Sequence, residues 1–242
     1  MFFNTINNNL EQQAINLYNY WFTQYNFTDE CGNPYCFSGG KMVWNEQLKR
    51  KIPENWTVKC VLDILSWQSN SQPPKSDFIY EKRDGYVRFI QNRDYESDEY
   101  VTYIPKTKSI TTCNRKDILI DKYGDAGKVR YGIDGAFNVA LAKLNLHDKD
   151  LQEYVRCYFE TKPIYNYLHS SCMASTRASL NESNIGNLYI AIPPKSVLNM
   201  FNLFINPIRD KILLLKDENH KLISLRNFLL PMLMNGQATI DE

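Results

Sequence analysis

No run of apolar residues in this chain approaches the ~18 that a membrane span needs, and no basic segment with an apolar core opens it. A cytoplasmic, soluble protein is therefore expected. Cysteine pairing is missing as well: the six cysteines, at 31, 36, 60, 113, 157 and 172, form no C-x-x-C and have no histidine at zinc-finger spacing. They read as reduced thiols, and no metal site is expected. Nor is there a large charge excess, because the formal net charge is only +1. That excludes nucleic-acid binding through overall basicity and leaves room for a local patch. No glycine-rich nucleotide loop, no Asn-Pro-Pro-aromatic motif for amino-methylation of a base and no internal repeat is present.

What is present is an ordinary globular composition, 43% hydrophobic and 23% charged, with aromatics high at 13%. At 242 residues it allows one domain with helical extensions or two small domains. The clearest periodicity lies at the end. Leu198, Phe201, Ile205, Ile208, Ile212, Leu215, Asn219, Leu222, Arg226 and Leu229 recur at spacings of three and four, the a/d seam of a coiled coil. Such a seam asks for a partner, and over about 47 Å the helix is expected to project from the body that precedes it. Asn219 at an a position would fix register, since misaligned pairings leave its amide unsatisfied. The expected dimer interface is thus Ile205, Ile208, Ile212, Leu215, Asn219, Leu222 and Leu229.

At the other end, Ile6, Leu10, Ala14, Leu17 and Trp21 fall at helical spacing behind a possible Asn4 or Thr5 cap. The helix should end near Asn26 in a cluster, Tyr18, Tyr20, Trp21, Phe22, Tyr25 and Phe27, that surrounds it and must be buried. Residues 1–27 are read as this helix and 28–55, with Gly32, Pro34, Gly39, Gly40 and Pro53, as a connector. A body spans 56–193 and the long helix 194–237. Strands are expected at Val58 to Leu65, Tyr86 to Gln91, Tyr100 to Ile104, Ile118 to Lys122, Val129 to Ile133, Phe137 to Leu144 and Asn187 to Ile192. Leu151 to Phe159 reads as a helix stopped by Pro163, and Ile164 to Leu168 as a further helical turn. The fold class is α+β, one mixed domain flanked by two helices.

Fragments that resemble catalytic motifs fail on their chemistry. Gly124-Asp125-Ala126-Gly127-Lys128 has its first glycine too close for a phosphate loop, and Val129 stands where a magnesium-holding hydroxyl is needed. Asp150 with Glu160-Thr161-Lys162 has a nuclease-like spacing but sits on a helix and its end, where carboxylates would not converge. His169 beside Ser170, Ser171 and Cys172 lacks an orienting acid. No catalytic residue is assigned.

Recognition chemistry remains. From Lys106 to Arg130 seven bases face three acids, a concentration suited to phosphates. The stretch His169 to Ser179 packs hydroxyls around Arg177, and Arg88, Gln91, Asn92 and Arg93 carry planar groups that can read base edges. The expected DNA contacts are Arg88, Asn92, Arg93, Lys122, Tyr123, Lys128, Arg130, Ser170, Ser171, Ser175, Thr176 and Arg177. A solvated charged surface and an ordinary polar loop remain the alternatives.

Leu225-Arg226-Asn227-Phe228-Leu229-Leu230-Pro231-Met232-Leu233-Met234-Asn235-Gly236-Gln237 resembles the distal helix of type I restriction-modification specificity subunits. Leu17 to Phe22, Gly32-Asn33-Pro34-Tyr35, Ser38 to Val43 and Ile52-Pro53-Glu54-Asn55-Trp56 resemble that family's passage into its second target-recognition domain. Asp117 to Ile120, Gly124, Gly127-Lys128, Ser170-Ser171, Ser175-Thr176 and Leu180-Asn181 fit its looser pattern within the domain. The family usually carries two such domains, so the resemblance is to a half-subunit corresponding to the C-terminal half. It implies a homodimer, or a pair with another half-subunit, that reads a bipartite site in double-stranded DNA. Modification subunits would then methylate adenine with S-adenosylmethionine, and restriction subunits would cleave with ATP and magnesium. This chain itself would need no cofactor. The rivals are an adaptor, or silent half-subunit, that binds modification subunits without reading DNA, and a nuclease.

Overall fold

Residues 2–29, 31–173 and 179–235 are described in a computed structural model of the protein. The first helix, α1, spans Phe2–Tyr18, starting before the expected Asn4 or Thr5 cap, and runs into a wider π turn at Asn19–Thr23. Its aromatic end is buried as its all-round apolarity demands: Tyr18, Trp21, Phe22, Tyr25 and Phe27 are each at most 5% exposed, and only Tyr20 faces out. The Phe22 ring lies 4.6 Å from that of Tyr154 and 4.8 Å from that of Phe201. Three separate stretches of chain are thereby joined around one ring.

The connector contains a hairpin that periodicity did not reveal. Strands β1 (Met42–Asn45) and β2 (Arg50–Pro53) pair antiparallel, with Trp44 opposite Lys51. The turn follows from its residues: the Asn45 side chain accepts from the amides of Gln47 and Leu48, and Lys49 takes a left-handed φ of 50°. At four residues each, such strands are too short to show a period of two against the surrounding turns.

The body holds two four-stranded sheets and a closing pair. Strands β3 (Thr57–Cys60), β4 (Leu65–Ser69), β5 (Tyr86–Ile90), β6 (Tyr103–Pro105), β7 (Thr112–Cys113), β8 (Ile118–Asp121), β9 (Val129–Arg130), β10 (Gly135–Phe137) and β11 (Leu141–Leu146) precede the helices. The sheets have the orders β6-β5-β10-β7 and β4-β11-β8-β9. Expected runs split where turns intervene: Val58 to Leu65 becomes β3, a 3-10 turn and β4, and Phe137 to Leu144 becomes β10 and β11. Helix α2 (Gln152–Glu160) lies where expected. Pro163, however, does not end structure; it sits in the first turn of α3 (Lys162–Met173), where no amide hydrogen is needed. After the short α4 (Glu182–Ile185), β12 (Tyr189–Ile192) pairs with β3.

The long helix, α5, is Lys195–Met234, 40 residues and about 60 Å. Its first half corrects the expected seam. Leu198, Phe201, Ile205, Ile212 and Leu215 are buried at 3% exposure or less against α1 and the body, and Ile208 is half-buried there. Ile205, Ile208, Ile212 and Leu215 thus find their apolar partner within the chain. Asn219 is half-buried and lines a cleft facing the body. Only beyond it does the helix run free: residues 221–231 are all exposed, including Leu222 and Leu229 of the expected interface.

A buried ionic cluster ties this helix to the body. Arg209, 2% exposed, donates to Glu153 at 2.8 Å and to the Tyr131 hydroxyl at 2.6 Å, and pairs with Glu160 at 3.3 Å. Arg156, fully buried, donates to the same Glu153 at 3.0 Å. Both guanidinium groups lie 4.6 Å from the Tyr131 ring centre and Lys216 Nζ lies 4.2 Å from it. Charges buried this way must be paired, and the pairing fixes α5 in one register on α2 and β9.

Candidate nucleic-acid interface

The turn between β8 and β9 and the end of α3 bring one group of expected contacts together. The Leu180 amide and the Cys172 thiol both point at the Lys122 carbonyl oxygen, and Tyr165 donates to Asp125 at 2.5 Å. Gly127, at φ +93°, packs on Leu168, so the turn lies flat on α3. Lys122, exposed Tyr123, Lys128, Ser170 and Ser171 thereby sit at one end of the body. Ser170 and Ser171 belong to α3 rather than to a polar loop; Ser175, Thr176 and Arg177 lie outside the described residues. Lys122 Nζ lies 5.9 Å over the Tyr123 ring and has no carboxylate partner among the described residues. Lys128 pairs with Asp125 at 2.8 Å on the surface, and the bonds from Lys128 and Tyr165 hold that carboxyl below its ordinary range.

The second group lies on the turn after β5. Arg88 pairs with Asp98 at 2.6 Å, and Asp98 also meets His220 of α5. Asn92 is half-buried with its side-chain oxygen unpartnered, while Arg93 is exposed, 5.7 Å from the Tyr100 ring. Between the two groups stands Arg130, and the structure corrects its expected role. Its guanidinium donates to Asp121 at 2.9 and 3.0 Å and lies 5.3 Å from the Tyr95 ring, only 11% exposed. A charge so committed is not available to phosphate.

Internal ion pairs likewise thin the basic run from Lys106 to Arg130. Arg115 forks onto Asp217 of α5 at 2.9 Å, and Lys116 pairs with Asp210 at 2.5 Å. These bases dock the long helix. Lys106, Lys108 and Lys122 keep no carboxylate partner among the described residues. The structure adds neighbours that the sequence reading missed: the Lys106 amide donates to Gly85, and Tyr86 lies opposite Pro105, which places exposed Lys82 and Arg83 on the edge that bears Lys106 and Lys108. Arg83 lies 5.8 Å from the Tyr86 ring, and nearby Tyr80 is 70% exposed. The signal was the Lys82-Arg83 pair between aromatics, split in sequence from Lys106 by two strands.

Between α1, α5 and the body runs a cleft of about 690 Å³, lined by Asn7, Glu11, Tyr95, Asp98, Lys216 and His220 among others. Asp150 pairs with Lys195 at 3.8 Å and Glu160 with Arg209, so the nuclease-like carboxylates do not share a site. Burial pushes the Cys172 thiol up, away from a reactive thiolate. Among the described residues no cluster of three metal-binding side chains occurs, and no helix is long and apolar enough to cross a membrane.

Residues 53–197 match the model of the family described as type I restriction modification DNA specificity domain. The type I restriction enzyme MjaIX specificity subunit of Methanocaldococcus jannaschii is 27% identical over 241 residues, 96% of this chain and 54% of that protein. The HindI specificity subunit of Haemophilus influenzae is 23% identical over 196 residues, 77% of this chain and 42% of that protein. The chain therefore spans about half the length of these curated relatives. Among solved structures, the S subunit of a type I restriction-modification system from M. genitalium superposes with a TM-score of 0.55 at 14% identity, covering 95% of this chain and 57% of that one. The mixed fold with its N-terminal helix and long C-terminal helix is the fold of that structure.

Proposed function

Since the chain belongs to the family of type I restriction-modification DNA specificity domains, we propose that it reads one half of a bipartite DNA site and performs no chemistry itself. One observation carries this reading: the match over residues 53–197 takes in the whole body from β3 to β12, the part that holds the candidate contacts. Lys122, Lys106 and Lys108 would meet phosphates, which sets orientation. Asn92, Arg93 and Tyr123, with planar groups beside them, are the candidates for base edges. Arg88 and Lys128 would first have to leave Asp98 and Asp125.

The free half of α5, with Leu222 and Leu229, would pair with a second copy or with another half-subunit. In an identical pair about a twofold axis, two readers face two half-sites. The partners are modification subunits, which flip and methylate adenine with S-adenosylmethionine, and restriction subunits, which use ATP and magnesium. All of this belongs in the cytoplasm, where DNA is reached.

A second reading, an adaptor that binds modification subunits without reading DNA, draws on the internal pairing of Arg88, Lys128 and Arg130. Co-expression with a type I modification subunit, followed by sequencing for methylated adenines, separates the two. A palindromic bipartite motif supports the identical pair, and an asymmetric one supports a different second half. No motif overturns the reader in favour of the adaptor.

A further inference from the structure

All of the β1–β2 hairpin except Pro53 lies outside the residues that match the family model, and the body does not explain its outer face. Val43 and Ile52 face the core; Trp44, 56% exposed, and Lys51 stand opposite each other on the other side. Phe37, ahead of the hairpin, is 76% exposed. From Lys41 to Lys59 five bases face two acids. Both acids sit in surface pairs, Lys41 with Glu54 at 2.5 Å and Lys49 with Glu46 at 2.9 Å, Glu46 also accepting the Trp44 indole N–H. Pairs this exposed exchange readily for another anion. Lys51 and Lys59 have no carboxylate partner among the described residues and are exposed. Protein interfaces deplete lysine, whereas phosphate contacts recruit it.

We infer that the outer face of this hairpin, Trp44 with Lys49 and Lys51, binds the phosphate backbone of duplex DNA outside the half-site that the body reads. The inference rests on the proposed DNA-reading function but concerns a contact that carries no sequence information. Lysine heads on this face neutralise phosphates, and the indole packs against the sugar edge while donating to Glu46, which already accepts its N–H at 2.8 Å. Because the hairpin is anchored on the aromatic end of α1, through Arg50 lying 5.5 Å from the Tyr25 ring, the contact would be rigid with respect to the helices.

The test is binding of the purified full chain to a random-sequence duplex across a salt series. Lys49→Ala with Lys51→Ala should lower the slope of log K against log salt by about 1.8, two phosphates at ~0.9 each, and weaken binding by about tenfold at low salt. Trp44→Ala should weaken binding at every salt with the slope kept. All these side chains are exposed, so the thermal midpoint should hold. An unchanged slope in the double variant overturns the inference. So does a variant that keeps the slope and loses co-purification of a modification subunit, for then the face docks protein. A lost slope without any methylation motif in co-expression would retain the hairpin contact and reject the sequence reader.

Discussion

Glu153 shows how much of this molecule is decided at single side chains. Burial works to raise its carboxyl, and Arg156 and Arg209 overcome that, so it titrates below the ordinary carboxylate range. A depressed folded pKa means stability that is fully present above the unfolded value, about 4.3, and is lost as pH falls through the folded one. Glu153→Gln leaves two buried guanidinium groups short of a counter-charge and should cost about 3–5 kcal/mol near neutral pH. Urea unfolding should show that gap closing as pH falls below the unfolded carboxyl value and through the depressed folded one, where the wild-type carboxyl also becomes neutral. A gap independent of pH would mean that the charge of Glu153 is not what matters. Gly135 is decided by space instead: a Cβ there would collide with the Arg88 carbonyl of the paired strand β5. Gly135→Ala should therefore destabilise by about 3 kcal/mol, read as a lowered urea midpoint with an unchanged m-value.

At the scale of elements, α5 is two helices in one. Phe201 lies within the aromatic plug and is fully buried, so Phe201→Ala should cost about 3–5 kcal/mol in urea. Leu222→Asp with Leu229→Asp touches only exposed positions and should leave that midpoint within about 0.5 kcal/mol. Sedimentation should nonetheless show self-association lost, whereas retained association would place the pairing surface elsewhere. The heptad pattern announced both halves alike, because periodicity reports that a face is apolar and not whose apolar face covers it. Arg209 sits among these apolar positions, and its partners Glu153 and Glu160 lie about fifty residues away in the sequence. A still longer separation, 102 residues, hid the fate of the basic run, since Arg115 finds its carboxylate at Asp217 of α5. The unbroken apolar run of β8 and the longer β11 and α2 were legible from their own residues. The strand expected at Val129 to Ile133 is present but cut to the two residues of β9; β7, also of two residues, exists only because β10 pairs with it, and the β1–β2 hairpin was hidden among its turns.

For the whole molecule, the consequence is that the reader and the first half of α5 move as one body. Arg115 to Asp217, Lys116 to Asp210, Arg209 to Glu153 and His220 to Asp98 fasten the helix to the domain at successive turns. If two such bodies pair through their free helix halves, the spacing of the readers is set by helix length between the last fastening, near His220, and the pairing surface. Seven residues inserted between Lys221 and Leu222, after the last fastening and before the pairing surface, add about 10 Å to each helix while preserving the heptad phase of the apolar face. Both half-sites should then stay the same and the gap between them in the methylated motif should widen. Four inserted residues add only about 6 Å and rotate the outer apolar face by roughly 40°, against about 20° in the opposite sense for the heptad. Pairing should weaken more in that variant. Methylation sequencing of cells co-expressing each variant with modification subunits reads both results, and a gap unchanged by the seven-residue insertion would sink the idea that this helix sets the distance.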